Sequence, residues 1–171
     1  MPFADARIEF EAALSDEVYE AAWRYALRLT GNREDAQDLL QSAILKAIVK
    51  FGQLRKQSSF RAWLFAIIRN LHLSSNLRNQ VRITDLVESR SLAELDALDR
   101  AVLDSLDSLP QIHRETLTLF YLDNLSLSET AEVLGIGLNA VKQRILRARK
   151  ALRKIYEAEE PNSRIERSEI I

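Results

Sequence analysis

Residues Ser126–Lys154 read SLSETAEVLGIGLNAVKQRILRARKALRK and carry the most specific pattern in the chain. Ser126 and Glu129 have the spacing of a capping box, which opens a short helix with an apolar face. The Gly135-Ile136-Gly137 turn ends that helix, because glycine adopts the positive φ that a sharp reversal needs. A longer basic helix follows, with Asn139 as its expected N-cap.

This second helix sorts its side chains onto two faces. One face is apolar and is expected to be buried; it carries Val141, Ile145, Ala148 and Leu152. A short helix, a glycine turn and a longer basic helix form a helix-turn-helix, whose second helix enters the major groove. Glutamine and arginine can pair with base edges, lysine can hold phosphates, and leucine can contact a thymine methyl. The predicted duplex-binding residues are Asn139, Lys142, Gln143, Arg144, Leu146, Arg147 and Lys150.

Charge is segregated along the chain although the formal net charge is only -1. Residues 39–84 contain eight lysines and arginines and no acid, residues 138–156 contain seven and no acid, and residues 85–107 between them are acidic. Two positive surfaces on a nearly neutral molecule indicate a polyanionic partner. The alternative is a set of solvated helix faces, or an αα-hairpin in place of the helix-turn-helix, but ordinary faces mix both signs.

The rest of the chain is predicted to be helical, so the fold class is all-α. Apolar residues recur at spacings of three and four, glycine and proline are scarce, and alternating strand patterns are absent. The first helix is predicted over Asp5–Leu29 and ends at Gly31. Asn32, with Asp35 three residues on, is expected to cap the second helix. That helix carries Leu39, Leu40, Ile44, Ile48 and Phe51.

A third helix is predicted after a loop at Gly52–Ser59. Its buried stripe is Phe60, Leu64, Ile67, Ile68 and Leu71. Trp63 and Phe65 lie at the margins of this stripe, where packing is favoured over base stacking. Three helices are enough for a small core.

The segment Gln80–Ser91 has no sustained period and is interpreted as a flexible linker between two small helical domains. After it, helices are predicted over Ser91–Leu109 and Ile112–Leu122, with Pro110 tolerated in the first turn of the latter. The predicted domains are residues 1–79 and 92–156, with the linker at 80–91. Residues 157–171 are highly charged, include a proline and are expected to be disordered.

Composition argues against catalytic, metal-bound and exported classes of protein. The chain has no cysteine and two widely separated histidines, which disfavours a disulfide framework or a metal centre. Charged residues interrupt the N-terminus where a signal peptide would be apolar, and the longest uncharged apolar run is too short to span a membrane. Paired carboxylates in an apolar setting, nucleophile motifs and phosphate loops are also absent. We therefore expect a cytoplasmic binding protein without catalytic residues or a cofactor.

Several stretches resemble the extracytoplasmic-function (ECF) sigma factors of the sigma-70 family. Region four of that family is similar to LPQIHRE at 109–115, YL at 121–122, LS at 125–126, TAEVLGI at 130–136, AVKQR at 140–144 and RARKALR at 147–153. YALRLTGN at 25–32, EDAQDLLQ at 34–41, SFRAWLF at 59–65 and IRN at 68–70 are similar to region two. Both regions in this order, with an acidic linker between them, make the resemblance specific.

The resemblance implies a bacterial initiation factor that binds core RNA polymerase and directs it to promoters. Region four would read the −35 element as duplex. Region two would dock on the clamp helices of the largest polymerase subunit through Asp35, Asp38, Leu39, Gln41 and Leu45. It would also meet the −10 element as the strands separate, through Arg69, Asn70, His72, Asn76, Arg78 and Asn79. The family also implies an anti-sigma factor as a partner.

The sequence departs from the family pattern in two places. Ser74 stands where an aspartate is typical, and the paired arginines beyond it are reduced to Arg78. In the second helix Ser42 and Ile44 replace an acidic and an aromatic residue. These differences affect which side chains melt the promoter and which ones dock.

Two other functions compete with the sigma-factor hypothesis. A stand-alone helix-turn-helix regulator would bind DNA without polymerase, but it would normally dimerise, and no long heptad run supplies that interface. A sigma-like mimic would sequester an anti-sigma factor without touching DNA, and it would have no need of a basic recognition face. A helical enzyme is the weakest alternative.

Overall fold

The computed structural model describes residues 2–54, 59–80, 106 and 109–159, with side chains over 8–54, 59–75, 106 and 109–154. Every regular element in these ranges is helical, which confirms the all-α class. The helices are α1 Pro2–Ala13, α2 Asp16–Thr30, α3 Arg33–Lys50, α4 Phe60–Gln80, α5 Gln111–Leu117, α6 Leu127–Leu134 and α7 Leu138–Glu159. A 3₁₀ turn at Phe51–Gln53 follows α3, and a π-helical turn at Thr118–Leu122 follows α5.

The predicted first helix is in fact two helices, so that expectation was wrong. The chain leaves α1 after Ala13, and Ser15 caps α2 by accepting a hydrogen bond from the Val18 backbone N–H. Asp16 and Glu17 then lie in the first turn of α2, where acidic side chains favour the helix dipole. Gly31 ends α2 in the left-handed conformation, at φ 78°, as predicted.

The cap of α3 is confirmed. The side-chain oxygen of Asn32 accepts from the Asp35 N–H at 2.9 Å. The Asn32 side-chain amide returns a hydrogen bond to the Asp35 carboxylate at 2.7 Å. The arrangement resembles a capping box. In a capping box the backbone N–H of the N-cap residue donates to the second side chain, whereas here the side-chain amide of Asn32 donates to Asp35.

Helices α1, α2, α3 and α4 together are called the N-terminal bundle. Small residues form much of the contact between α2, α3 and α4. These helices pack on one another, and seven of their alanines are buried, so the helix axes can approach closely. The buried alanines are Ala21, Ala22, Ala26, Ala36, Ala43, Ala47 and Ala62. Of the apolar residues predicted on α3, Leu40 is buried, but Ile48 is 51% exposed and belongs to the outer face. On α4, Leu64, Ile67 and Ile68 are buried as predicted.

Residues 106 and 109–159, which we call the C-terminal domain, contain the helix-turn-helix. Ser126 and Glu129 form a complete capping box at the start of α6, and Gly135 ends that helix at φ 65°. The apolar face of α7 is buried against α5 and α6, with Val141 and Ala148 fully enclosed. Because α7 begins at Leu138, Asn139 lies in its first turn and is not the N-cap that the sequence predicted. Pro110 immediately precedes α5.

We expect Ser126→Ala to lower the free energy of unfolding by about 1 kcal/mol at neutral pH, because the cap satisfies N–H groups at the start of α6. Partial burial opposes ionisation of Glu129, but hydrogen bonds from Ser126 and Ser59 hold its pKa below the ordinary value. A carboxyl with a lowered pKa stabilises the fold above its unfolded pKa, and this contribution is lost as the pH falls through the folded pKa.

Urea unfolding of wild type and Ser126→Ala is followed by far-ultraviolet circular dichroism between neutral pH and about pH 3. It measures the loss of stability caused by the substitution and the loss of the Glu129 contribution as the pH falls. The exposed mid-helix substitution Ser42→Ala is the control and should change stability by less than about 0.5 kcal/mol. Equal stability of wild type and Ser126→Ala at neutral pH would contradict the capping role.

The two halves of the chain pack against each other. Helix α4 packs on α6, and Leu119, Leu125 and Val133 join the buried core of the N-terminal bundle. A second core inside the C-terminal domain contains Leu117 and Val141. The predicted linker beyond Gln80, most of the predicted helix Ser91–Leu109 and residues 160–171 lie outside the described residues. Residues 157–159, expected to be disordered, continue α7.

Candidate nucleic-acid interface

The face of α7 that the sequence assigned to DNA is open. With the opposite stripe buried, the backbone turn directs six of the seven predicted residues to solvent, and Arg144 alone among them is half-buried. Leu146, at 49% exposure, is a large apolar side chain held among cations. The exposed residues are Asn139, Lys142, Gln143, Leu146, Arg147 and Lys150. This surface offers bidentate, monodentate and apolar groups to a duplex groove at once.

A contact that the sequence did not predict fixes one border of this face. The guanidinium of Arg149 donates to the hydroxyl of Tyr121 and lies over its ring, 5.4 Å from the centroid. Tyr121 belongs to the π-helical turn after α5, so a neighbouring element orients an arginine of α7. The two residues are 28 positions apart, which leaves no local spacing signal in the sequence.

The predicted −10 residues lie on the second half of α4. Asn70 is exposed and His72 is half-buried, whereas the side chains of Asn76, Arg78 and Asn79 lie outside the described residues. Ser74 and Ser75 turn their hydroxyls back onto the helix, donating to the carbonyls of Asn70 and His72. Both serine hydroxyls are therefore hydrogen-bonded within the helix. The exposed side-chain amide of Asn70 can then hydrogen-bond to a base edge.

Arg69 has a partner in the other half of the chain. Its Nε and Nη2 donate to the two carboxylate oxygens of Glu115 on α5, at 2.6 and 3.2 Å. The hydrogen bonds to Glu115 raise the pKa of Arg69, so the guanidinium stays charged. A residue assigned to DNA on sequence grounds is held here by a carboxylate.

The aromatic residues of α4 are packing residues. Phe65 is fully buried and stacks on Tyr25, with ring centroids 4.4 Å apart and an interplanar angle of 2°. This corrects its predicted place at the margin of the stripe. Phe60 lies edge-on to Phe10 and Phe51 in an aromatic cluster, and Trp63 is half-buried beside Phe60. Packing, the interpretation favoured for Trp63 and Phe65, is confirmed for Phe65.

The outer face of α3 is both acidic and apolar. Asp35, Asp38 and Gln41 are exposed, and Leu45 is 66% exposed, whereas Leu39 is half-buried against the core. Two further members of this face were not predicted from the sequence: Ile48 and Val49, which are 51% and 84% exposed. Their spacing from Leu45, three and four residues, is the signal that could have found them.

Potential metal ligands were compared by their positions in the described ranges. No group of three or more potential metal ligands occurs among the described residues. None of the described helices is long and apolar enough to cross a membrane. The predicted binding residues lie on α3, α4 and α7.

Comparison with known proteins shows the family to which the chain belongs. The family described as "Sigma-70 region 2" matches residues 14–83, and "Sigma-70, region 4" matches residues 92–152. Both regions on one chain define a sigma factor of the sigma-70 type. "ECF RNA polymerase sigma factor SigL" of Mycobacterium tuberculosis is 36% identical over 153 residues, covering 82% of this chain and 85% of that protein. The chain therefore belongs to the ECF RNA polymerase sigma factors.

Two further relatives agree with this assignment. "ECF RNA polymerase sigma factor EcfG" of Rhodopseudomonas palustris is 32% identical over 136 residues, with 75% of each chain covered. A solved structure of the sigma factor RpoE in complex with the anti-sigma factor NepR, from Bartonella quintana, has a TM-score of 0.64 at 28% identity. That match covers 82% of this chain and 92% of the other. The relatives thus share both sequence and fold with most of the chain.

Proposed function

We propose that this sigma factor docks on core RNA polymerase through α3, reads the −35 element with α7 and meets the −10 element with α4. The observation that carries the proposal is the open face of α7, where six predicted base- and phosphate-contacting residues reach solvent together. Family membership supports a role in transcription initiation. The proposed function is binding to polymerase and promoter DNA, not catalysis. A protein with this function acts in the cytoplasm, where the DNA is.

The docking surface is argued from α3. Leu45, Ile48 and Val49 form an exposed apolar stripe, and Asp38 and Asp35 lie about two and about three helical turns before its start. Apolar side chains exposed as one stripe indicate a protein interface, and a charged rim gives it specificity. The polymerase clamp helices are the proposed partner. Half-buried Leu39 contributes mainly by supporting this face.

The test is co-elution of the purified protein with sigma-free core RNA polymerase on gel filtration. Asp38→Arg reverses a charge beside the apolar stripe, and we expect it to weaken core binding by about 100-fold or more. Glu17→Arg, an equally exposed charge reversal on α2, is the matched control and should co-elute normally. A protein that binds duplex DNA but never binds core would instead be a stand-alone regulator.

We also propose an anti-sigma factor as a partner. The support is the RpoE–NepR structure, in which a sigma factor of similar fold is bound by an anti-sigma factor. The sigma-like mimic remains a competing function on this point, since it would bind the same partner. The exposed basic face of α7 favours the DNA-binding sigma factor over the mimic.

A further inference from the structure

The contact between Arg149 and Tyr121 lies at the border of the open face of α7. Tyr121 is 44% exposed, and Arg149 is exposed as well. The guanidinium donates to the Tyr121 hydroxyl and lies over the ring of the same side chain, 5.4 Å from its centroid. One aromatic side chain therefore orients the guanidinium by a hydrogen bond and by a cation–π contact.

The π-helical turn brings Tyr121 to this border. Leu117 and Thr118, four and three residues before it, are buried. In a continuous α-helix residues at these spacings share one face, so Tyr121 would be buried beside them. The turn is instead closed by a hydrogen bond from the backbone N–H of Asp123 to the carbonyl of Thr118, at 3.0 Å. This wider turn moves Tyr121 off the buried face, and π-helical turns are frequent at functional sites.

The Tyr121 ring is supported from inside the C-terminal domain. Phe120 is partly buried and packs against the core that contains Leu117 and Val141. Its ring lies edge-on to that of Tyr121, with centroids 4.9 Å apart and an interplanar angle of 84°. Edge-to-face contact is a favoured arrangement of two aromatic rings. A continuous set of contacts therefore runs from the core through two rings to Arg149, and it restricts a long side chain that would otherwise be flexible.

The charge of Arg149 is not neutralised by this contact. Two other arginines meet carboxylates of the protein: Arg28 donates to Asp123, and Arg69 donates to Glu115. The group that accepts from Arg149 is an uncharged phenol, so the positive charge remains available to an anion. A guanidinium has five N–H donors, and the bond to the phenol uses one of them.

Arg149 shares one flank of α7 with Lys142, a predicted duplex-binding residue. The two are seven residues apart, so they lie about 20° from each other around the helix axis and about 10 Å from each other along it. Both side chains are exposed, and residues 138–156 contain no acid. A recognition helix in the major groove has a phosphate backbone on each side of it. Cations on its flank are therefore placed to meet phosphates, which position the helix without reading the sequence.

We propose that Tyr121 is a positioning residue that holds Arg149 in place for a backbone phosphate of duplex DNA, on the flank of α7 next to the π-helical turn. A long side chain loses conformational freedom when it binds, and this loss weakens a complex. Tyr121 orients the guanidinium before the DNA is bound, so less freedom is lost on binding. The inference deepens the proposed function and rests on it, because α7 must lie in the groove for its flank to meet the phosphates.

The experiment measures binding of the full-length protein to a mixed-sequence duplex of about 20 base pairs, by fluorescence anisotropy between about 50 and 200 mM salt. A mixed sequence is sufficient because phosphate contacts carry no sequence information. Arg149→Ala should weaken binding about tenfold at low salt and reduce the slope of log affinity against log salt by about 0.9. The matched control is Arg33→Ala, since Arg33 is also exposed and lies over an aromatic ring, that of Trp23. It should change the affinity by less than about twofold.

Tyr121→Phe separates positioning from charge. The guanidinium stays but loses its hydrogen bond, so the affinity should fall about threefold while the salt slope stays at the wild-type value. Tyr19→Phe, at a tyrosine of α2 that is 46% exposed, is the matched control and should bind like wild type. In the Arg149→Ala background, Tyr121→Phe should have no further effect, because no guanidinium is left to position.

A purely structural role for the contact gives a different pattern. If Tyr121 only fastened the π-helical turn to α7, Tyr121→Phe would lower the urea midpoint and weaken binding equally with and without Arg149. That additive result, or wild-type affinity in both single variants, would overturn the inference and leave the proposed function standing. A wild-type protein that binds no duplex at low salt would overturn the proposed function and the inference together.

Discussion

Phe65→Ala is expected to lower the free energy of unfolding of the N-terminal bundle by about 3–5 kcal/mol. The side chain is fully buried, stacks on Tyr25 and lies 5.9 Å beneath the guanidinium of Arg61. Its loss leaves a ring-sized cavity and removes a face-to-face aromatic contact. A loss of this size is a large fraction of the stability of a small domain.

Urea unfolding followed by intrinsic fluorescence measures this change in stability. Both tryptophans of the chain, Trp23 and Trp63, lie in the N-terminal bundle, so their emission reports on that half. Leu73→Ala is the matched control, because Leu73 lies on the same helix but is 38% exposed, and it should cost less than about 1 kcal/mol. Similar losses for the two variants would mean that Phe65 is not a central packing residue.

Arg147→Ala is expected to weaken binding to promoter duplex by about 5- to 150-fold and to relax sequence preference, corresponding to about 1–3 kcal/mol for a bidentate base contact. Arg147 is exposed near the middle of α7, about 100–120° around the helix axis from the buried Ala148 and Val141. Because arginine presents two parallel donors to guanine, its loss affects one position of the site and not binding in general.

Lys154→Ala is the comparison for Arg147→Ala. Lys154 is exposed near the C-terminal end of α7, far from the end of the helix that enters the groove, and should contact phosphate only. Its loss should reduce the salt slope by about one and weaken all sequences equally. Fluorescence anisotropy on matched promoter and scrambled duplexes distinguishes the two effects. Equal weakening on every sequence by both variants would rule out α7 as the recognition helix.

The sequence predicted the helix-turn-helix well because its signals are local. Ser126 and Glu129 are three residues apart, and Gly135 marks the turn directly. The break at Ser15 was missed because apolar spacing continues on both sides of it, and this periodicity concealed the Ser-Asp-Glu capping signal. The start of α7 was misplaced by two positions, since Gly137 and Leu138 give no polar cap to read.

The contacts between the halves could not have been predicted from the sequence. Arg28 and Asp123 are 95 positions apart, and Arg69 and Glu115 are 46 apart, so neither pair produces a local period. Each residue alone resembles an ordinary solvated charge. The exposure of Ile48 was misjudged for a related reason: seven buried alanines fill the helix contacts, so a larger apolar residue is left for the outer face.

The same alanines limit how the protein can change over evolutionary time. In most cores the constraint is polarity, and many apolar residues can replace one another. Where alanines line the contacts between α2, α3 and α4, the constraint is volume: serine or glycine would fit in place of Ala22 or Ala43, whereas leucine would force the helices apart. The bundle that positions α3 and α4 is therefore expected to vary mainly among the smallest side chains, whereas on the outer face of α3 the constraint comes from the proposed polymerase partner and not from helix packing.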